Sequence, residues 1–325
     1  MKHNKYTGIL KYTLIVLACL VLSRCVYLNE VDQPSEVKAG QDLVAVMHTR
    51  FEIAEARAAD RIVVGILVPK SWNAAANTTM TYTTTSMGSG TMVKIPAGVL
   101  TNGKEWPAAL RERYGIGPNL LDDMEWVVFW SQTTYDVVNG DKQDVDIKIV
   151  TKTGPENMRV KLGYFIASSS DGLNDFYTNR PYKAIFKDCF EVTDGDGDLV
   201  DFCNPQLAIT DPNSSLDNDI MTITFNADVV NTPLTGAQDV YFCVKAYTND
   251  GQVIDRCVQQ PGSRMPKAAG VGNRYSITFW PRQYFNVSAN QTINRLEYYF
   301  TDASGNIKVG YGNTASPFVY TFKCK

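Results

Sequence analysis

Eleven short runs rich in Val, Ile, Thr, Tyr and Phe punctuate this chain, at residues 42–49, 61–68, 124–131, 145–152, 159–167, 184–192, 220–226, 240–247, 275–280, 295–301 and 318–322. β-Branched and aromatic side chains suit a pleated, half-buried surface. Turn chemistry lies between the runs, at Asn102-Gly103, Asn139-Gly140, Asp171-Gly172, Asp250-Gly251 and Ser304-Gly305. These residues tolerate the positive φ that tight turns demand. In 145–152, Val145, Ile147 and Ile149 alternate with Asp146 and Lys148, the pattern of an antiparallel strand with one solvated face. Helical periodicity is confined to one stretch, 106–114. Successive strands without alternating helices predict antiparallel sandwiches rather than a parallel sheet.

A length of 325 residues leaves room for two such domains. Segment 204–215 (NPQLAITDPNSS) holds two prolines and several turn formers, and it separates one strand set from the next. The expected division is a first sandwich over 25–204, carrying a long insertion at 71–121, and a second over 205–325. The fold class is therefore all-β: tandem antiparallel β-sandwiches, immunoglobulin-like or like carbohydrate-binding modules.

The N-terminus reads as an address. Lys2, Lys5 and Lys11 precede an apolar run over 12–22. Eleven residues span about 16 Å as a helix, against about 30 Å of bilayer core, so the run predicts a signal peptide (1–24) rather than a membrane span. Removing it takes four of the 31 basic residues and none of the 34 acidic ones, leaving 27 against 34, or −7. No basic surface for nucleic acid is expected from that balance. The cysteines agree with export. Cys189 and Cys203, like Cys243 and Cys257, stand 14 apart and bracket a turn, which predicts two hairpin disulfides. Cys324 is left over.

Leu22-Ser23-Arg24-Cys25 resembles the lipobox of bacterial lipoproteins, although Arg24 stands where a small residue is usual. The resemblance makes Cys25 the lipid-attachment residue. The opening that follows, Val31-Asp32-Gln33-Pro34-Ser35-Glu36-Val37-Lys38-Ala39-Gly40-Gln41, resembles Bacteroidetes outer-membrane lipoproteins of polysaccharide-utilisation loci, the SusE/SusF-like group. Residues 220–226, 235–241 and 298–310 are similar to β-sandwich modules of those loci. The resemblance implies an outer-membrane, lipid-anchored, surface-exposed protein with a glycan or polysaccharide as ligand and SusC/SusD-like importer proteins as partners. It maps no binding residue.

Sugar rings stack their C–H faces on aromatic planes, so a glycan site needs aromatics outside the core. Trp72, Trp106, Trp280 and Tyr284 stand in expected loops and are the candidate binders. Asp194, Asp196 and Asp198 alternate with glycines in the manner of the start of a calcium loop, but the closing glutamate is missing. Ca²⁺ is thus a minor candidate, and no other cofactor is expected. Two histidines and the absence of G-x-S-x-G and H-E-x-x-H motifs argue against an enzyme. The expected function is non-catalytic glycan binding for a Sus-like uptake system. The alternatives are a structural or adhesive surface lipoprotein, fimbria-associated or protein-binding, and then a glycan-processing enzyme.

Overall fold

A computed structural model describes residues 25–176, 180–268 and 272–323. Residues 1–24, expected to be a signal peptide, and Cys324 lie outside them. The chain forms two compact units. The first comprises residues up to 37, 41–153 and 161–190; the second comprises 38–40, 154–160 and 191–325. This division falls earlier than the turn-rich 204–215 segment, because residues 196–201 form a strand that pairs within the second unit.

The first unit is built on eight antiparallel strands. They are β1 (Cys25–Asp32), β2 (Asp42–Glu52), β3 (Ile62–Pro69), β4 (Thr78–Thr84), β5 (Ser89–Lys94), β6 (Met124–Ser131), β7 (Lys142–Lys152) and the later part of β8 (Glu156–Ser168). Their hydrogen-bonded order is β1-β2-β7-β4-β5-β6-β3-β8. Strict alternation fixes which side faces inward. Leu43, Ala45, Met47 and Phe51 of β2 and Val145, Ile147 and Ile149 of β7 are buried. The residues between them carry His48, Arg50, Asp144 and Asp146 to the outer face, where His48 is held between Asp146 (2.7 Å) and Asp32 (3.2 Å).

The 71–121 stretch is no peripheral insertion. It supplies β4 and β5, central to the sheet, and the helix α1 (Trp106–Tyr114). Every residue of β3 is buried. Gly65 lets the helix come down on β3: a Cβ there would sit 2.8 Å from Leu110 and 3.3 Å from Phe165.

The second unit is a two-layer sandwich. One layer holds β10 (Ala208–Asp211), β11 (Met221–Asn226) and β14 (Arg274–Phe279). The other runs β13 (Val253–Asp255), β12 (Val240–Thr248), β15 (Ile293–Thr301), β17 (Phe318–Thr321), β9 (Asp196–Asp201), with β16 (Lys308–Val309) added beside β15. Met221, Ile223 and Phe225 of the first layer meet a core shared with Phe242, Val244, Leu296, Tyr298 and Phe300 of the second. Phe225 and Phe300 approach to 4.6 Å between ring centroids. Both units are antiparallel β-sandwiches, as the strand pattern predicts. Segment 204–215, expected to separate the two strand sets, contributes β10 to this sandwich.

Cys243 and Cys257 are joined by a disulfide, and Cys189 and Cys203 are disulfide-bonded as well. Among the described residues no helix is long and apolar enough to cross a membrane.

Candidate functional site

The four aromatics expected to bind sugar divide three to one. Trp72, in a single 3₁₀ turn, is 1 % exposed and packs edge-on against Phe190. Trp106 opens α1, is also 1 % exposed and lies against Phe165. Both face the core because the segments that carry them fold back over the first unit. The expectation that they are free loop aromatics does not hold. Tyr284 belongs to the short helix α2 (Pro281–Phe285) and stacks among Phe279, Phe285 and Phe242, its hydroxyl buried without a hydrogen-bond partner among the described residues. Trp280 alone remains outside, 42 % exposed.

The three aspartates do not converge either. Asp194 pairs with Lys38 at 2.9 Å, and Asp196 is exposed at the start of β9. The register of β9 against residues 156–159 then slips, and Asp198 turns inward. There it accepts the Leu199 N–H (2.9 Å) and the Thr210 hydroxyl (3.2 Å). Burial pushes this carboxyl up to about 7. Among the described residues no group of three or more acidic, histidine or cysteine side chains suits a metal ion.

Two concavities stand out among the described residues of the second unit. One, of about 360 Å³, is walled by Arg159, Glu191, Asp201 and Tyr311. Its polar groups satisfy one another. Arg159 pairs with Glu191 and stacks over the Tyr311 ring at 5.1 Å. The Tyr311 hydroxyl donates to Asp201, which also accepts the backbone N–H groups of Cys203 (2.8 Å) and Asn204 (3.0 Å). Burial first, and then that bond to Asp201, raises the Tyr311 phenol to about 12. A network so closed stabilises a wall and leaves few groups for a ligand.

The other, of about 730 Å³, lies on the outer face of β12, β13 and β15. Register sets this face: Cys243 stands opposite Tyr299, Lys245 opposite Glu297 and Tyr247 opposite Arg295. Phe242, Val244 and Ala246, like Leu296, Tyr298 and Phe300, fill the core, so the alternate residues must face out. Tyr247 is anchored at both ends, its hydroxyl donating to Glu297 (2.6 Å) and its ring lying 4.1 Å from the Arg295 guanidinium. The bond to Glu297 raises its phenol. Tyr299 donates to the Ala315 carbonyl at 3.1 Å. Lys245 pairs with Asp255 (3.5 Å) and Arg295 with Glu297 (3.0 Å). Asn306, Lys308 of β16, Asn313 and Thr314 line the groove, and the Cys243–Cys257 bridge forms part of its wall.

Tyr247 and Tyr299 were not among the expected binders. The signal for them is strand parity: Lys245, Arg295 and Glu297 mark the outward positions of β12 and β15, and each tyrosine is two residues from one of them.

The outer face of this antiparallel sandwich thus carries an open groove of polar and aromatic side chains. Residues 26–206 match the model described as Domain of unknown function (DUF4961), and the chain belongs to that family. Residues 208–309 match a second model, Domain of unknown function (DUF8578). No curated protein matches. Solved structures that resemble the chain include the partial N-terminal region of an enterococcal surface protein, with 9% identity over 93% of this chain and 95% of that one and a TM-score of 0.27. The B domain of a biofilm-associated protein aligns with 8% identity over 92% and 85%, TM-score 0.24. The collagen-binding domain from a Staphylococcus aureus adhesin aligns with 4% identity over 48% and 97%, TM-score 0.20. Superpositions this loose carry no argument about ligand.

Proposed function

We propose that this protein is an exported, non-catalytic surface protein that holds a hydroxyl-rich chain, a glycan, in the groove on the outer face of β12, β13 and β15. The observation that carries the reading is the groove's composition. Two anchored tyrosines stand beside paired charges and two asparagines, which suits C–H stacking and multidentate hydroxyl recognition. Asp255 and Glu297 are engaged by Lys245 and by Arg295 and Tyr247, an arrangement that favours binding over proton transfer. An adhesive role, in which the glycan belongs to a surface to be held, fits an open groove directly. Capture for a Sus-like importer is the second reading, and the lipobox-like Leu22-Ser23-Arg24-Cys25 and the opening after it favour it.

Two measurements test this. On a glycan array, or in native gels containing polysaccharides, Tyr299→Ala and Tyr247→Ala should each weaken retention of a responsive glycan about tenfold, about 1.4 kcal/mol. Trp280→Ala should change it little. Unaltered retention in both tyrosine variants would sink the groove as the site. Separately, Cys25→Ala should abolish palmitate labelling and release the protein from the membrane fraction, since acyl chains are its proposed hold on the bilayer. Persistent labelling would move the anchor elsewhere.

A further inference from the structure

The groove's charges are matched with one exception. Lys245 is paired with Asp255, and Glu297 is paired with Arg295 and accepts the Tyr247 hydroxyl. Lys308, exposed on β16, has no ion pair among the described residues. Its ammonium stands 5.7 Å from the centroid of the Tyr299 ring. The nearest acid along the chain, Asp302, is turned into its own hairpin, where it accepts the Ile307 N–H (3.0 Å) and the Ser304 hydroxyl (2.5 Å). One uncompensated cation therefore borders an aromatic ring and shares the groove with Asn306 and Asn313.

We infer that the groove selects acidic glycans, and that Lys308 is the residue that recognises a uronate carboxylate. The inference rests on the glycan reading above and names the class of sugar. A charge-assisted bond from an ammonium to a carboxylate is about twice as strong as a neutral one. Stacking on Tyr299 and the amides of Asn306 and Asn313 would supply the contacts any hexose ring can use. Lys308 supplies the one contact that a neutral sugar cannot match. The chain's net negative charge does not oppose this, because charges beyond about 10 Å are largely screened at 0.1 M salt.

The experiment is native affinity electrophoresis of the full chain, purified in detergent, through gels containing polygalacturonate, hyaluronan, the carboxyl-reduced form of each, neutral dextran, or dextran sulfate. The expected result is at least tenfold tighter retention by a uronate polymer than by its carboxyl-reduced form. Lys308→Gln should lose that difference and Lys308→Arg should keep most of it. Because Lys308 is exposed, both variants should melt like the parent, so a lost difference reports recognition and not folding. Equal retention by native and carboxyl-reduced polymers overturns the inference while leaving the glycan reading standing, provided Tyr299→Ala weakens both. Dextran sulfate retained as well as the uronates, or Lys308→Gln unchanged from the parent, overturns it too. If no polymer, acidic or neutral, retards the chain, the glycan reading itself falls.

Discussion

Trp106→Ala is expected to lower the melting temperature of the first unit by roughly 10 °C. Trp106 is 1 % exposed and opens the helix that covers β3, with Leu110 one turn on pressed against Gly65. Its ring lies in a chain of aromatic contacts: Trp106 on Phe165, Phe165 on Tyr114 and Tyr182, and Tyr114 on Trp126. Emptying such a site costs about 3–5 kcal/mol in transfer and cavity terms. For a unit of this size each kcal/mol moves the midpoint by roughly 2–4 °C. The loss is a large share of the 5–15 kcal/mol that holds a typical domain, so partial unfolding at growth temperature is also expected. Trp280→Ala is the contrast. It removes a ring 42 % exposed in the second unit and should shift the melt by no more than about 2 °C. Calorimetry on both variants decides the matter. A Trp106→Ala protein that melts like the parent would mean that the helix does not seal the core as described.

The strands were legible because their chemistry repeats at a period of two and turn residues bound them. Met124–Ser131 and Val240–Thr248 begin where the β-branched and aromatic runs begin. The 78–94 hairpin was harder to see. Its buried residues, Met80, Tyr82 and Met92, are diluted by threonines that face outward, and alanines precede it, so the stretch read as insertion. The burial of Trp72 and Trp106 is a long-range fact. Each stands near a proline or a turn, where local sequence favours a loop, and only packing against Phe190 and Phe165 puts it inside. The outward tyrosines illustrate the opposite case. Parity with Lys245 and Glu297 would have placed Tyr247 and Tyr299 on the solvated face from sequence alone, but the concavity depends on loops that bring Asn306 and Asn313 over the sheet. The aspartate run shows how one irregular register changes chemistry: a carboxylate expected in a calcium-loop-like run becomes a buried acid.

That acid, Asp198, should make the second unit less stable as pH rises through neutrality. Its carboxyl sits at about 7 in the folded protein, against 3.8 in a model peptide, and burial is the leading cause. The folded state therefore binds the proton more tightly than the unfolded chain does. Stability from this group is fully present below pH 3.8 and is lost progressively as pH climbs to 7. Its neighbours Tyr298 and Tyr320 have phenols raised above 10, so they stay neutral across this window and do not compensate. At about 1.4 kcal/mol per pH unit, the loss between pH 5 and pH 8 is on the order of 3 kcal/mol. Asp198→Asn keeps the size of the side chain and can still accept from Leu199, while its amide can donate to the Thr210 oxygen. The variant should therefore melt higher than the parent at pH 8 and differ little from it near pH 4. Its stability should change less with pH across the interval. Urea titrations of both proteins at pH 5, 6.5 and 8 measure this directly, with the m-value checked for constancy. Parallel curves for parent and variant would show that Asp198 ionises at no cost, and hence that it is not sealed beneath β9 as its burial indicates.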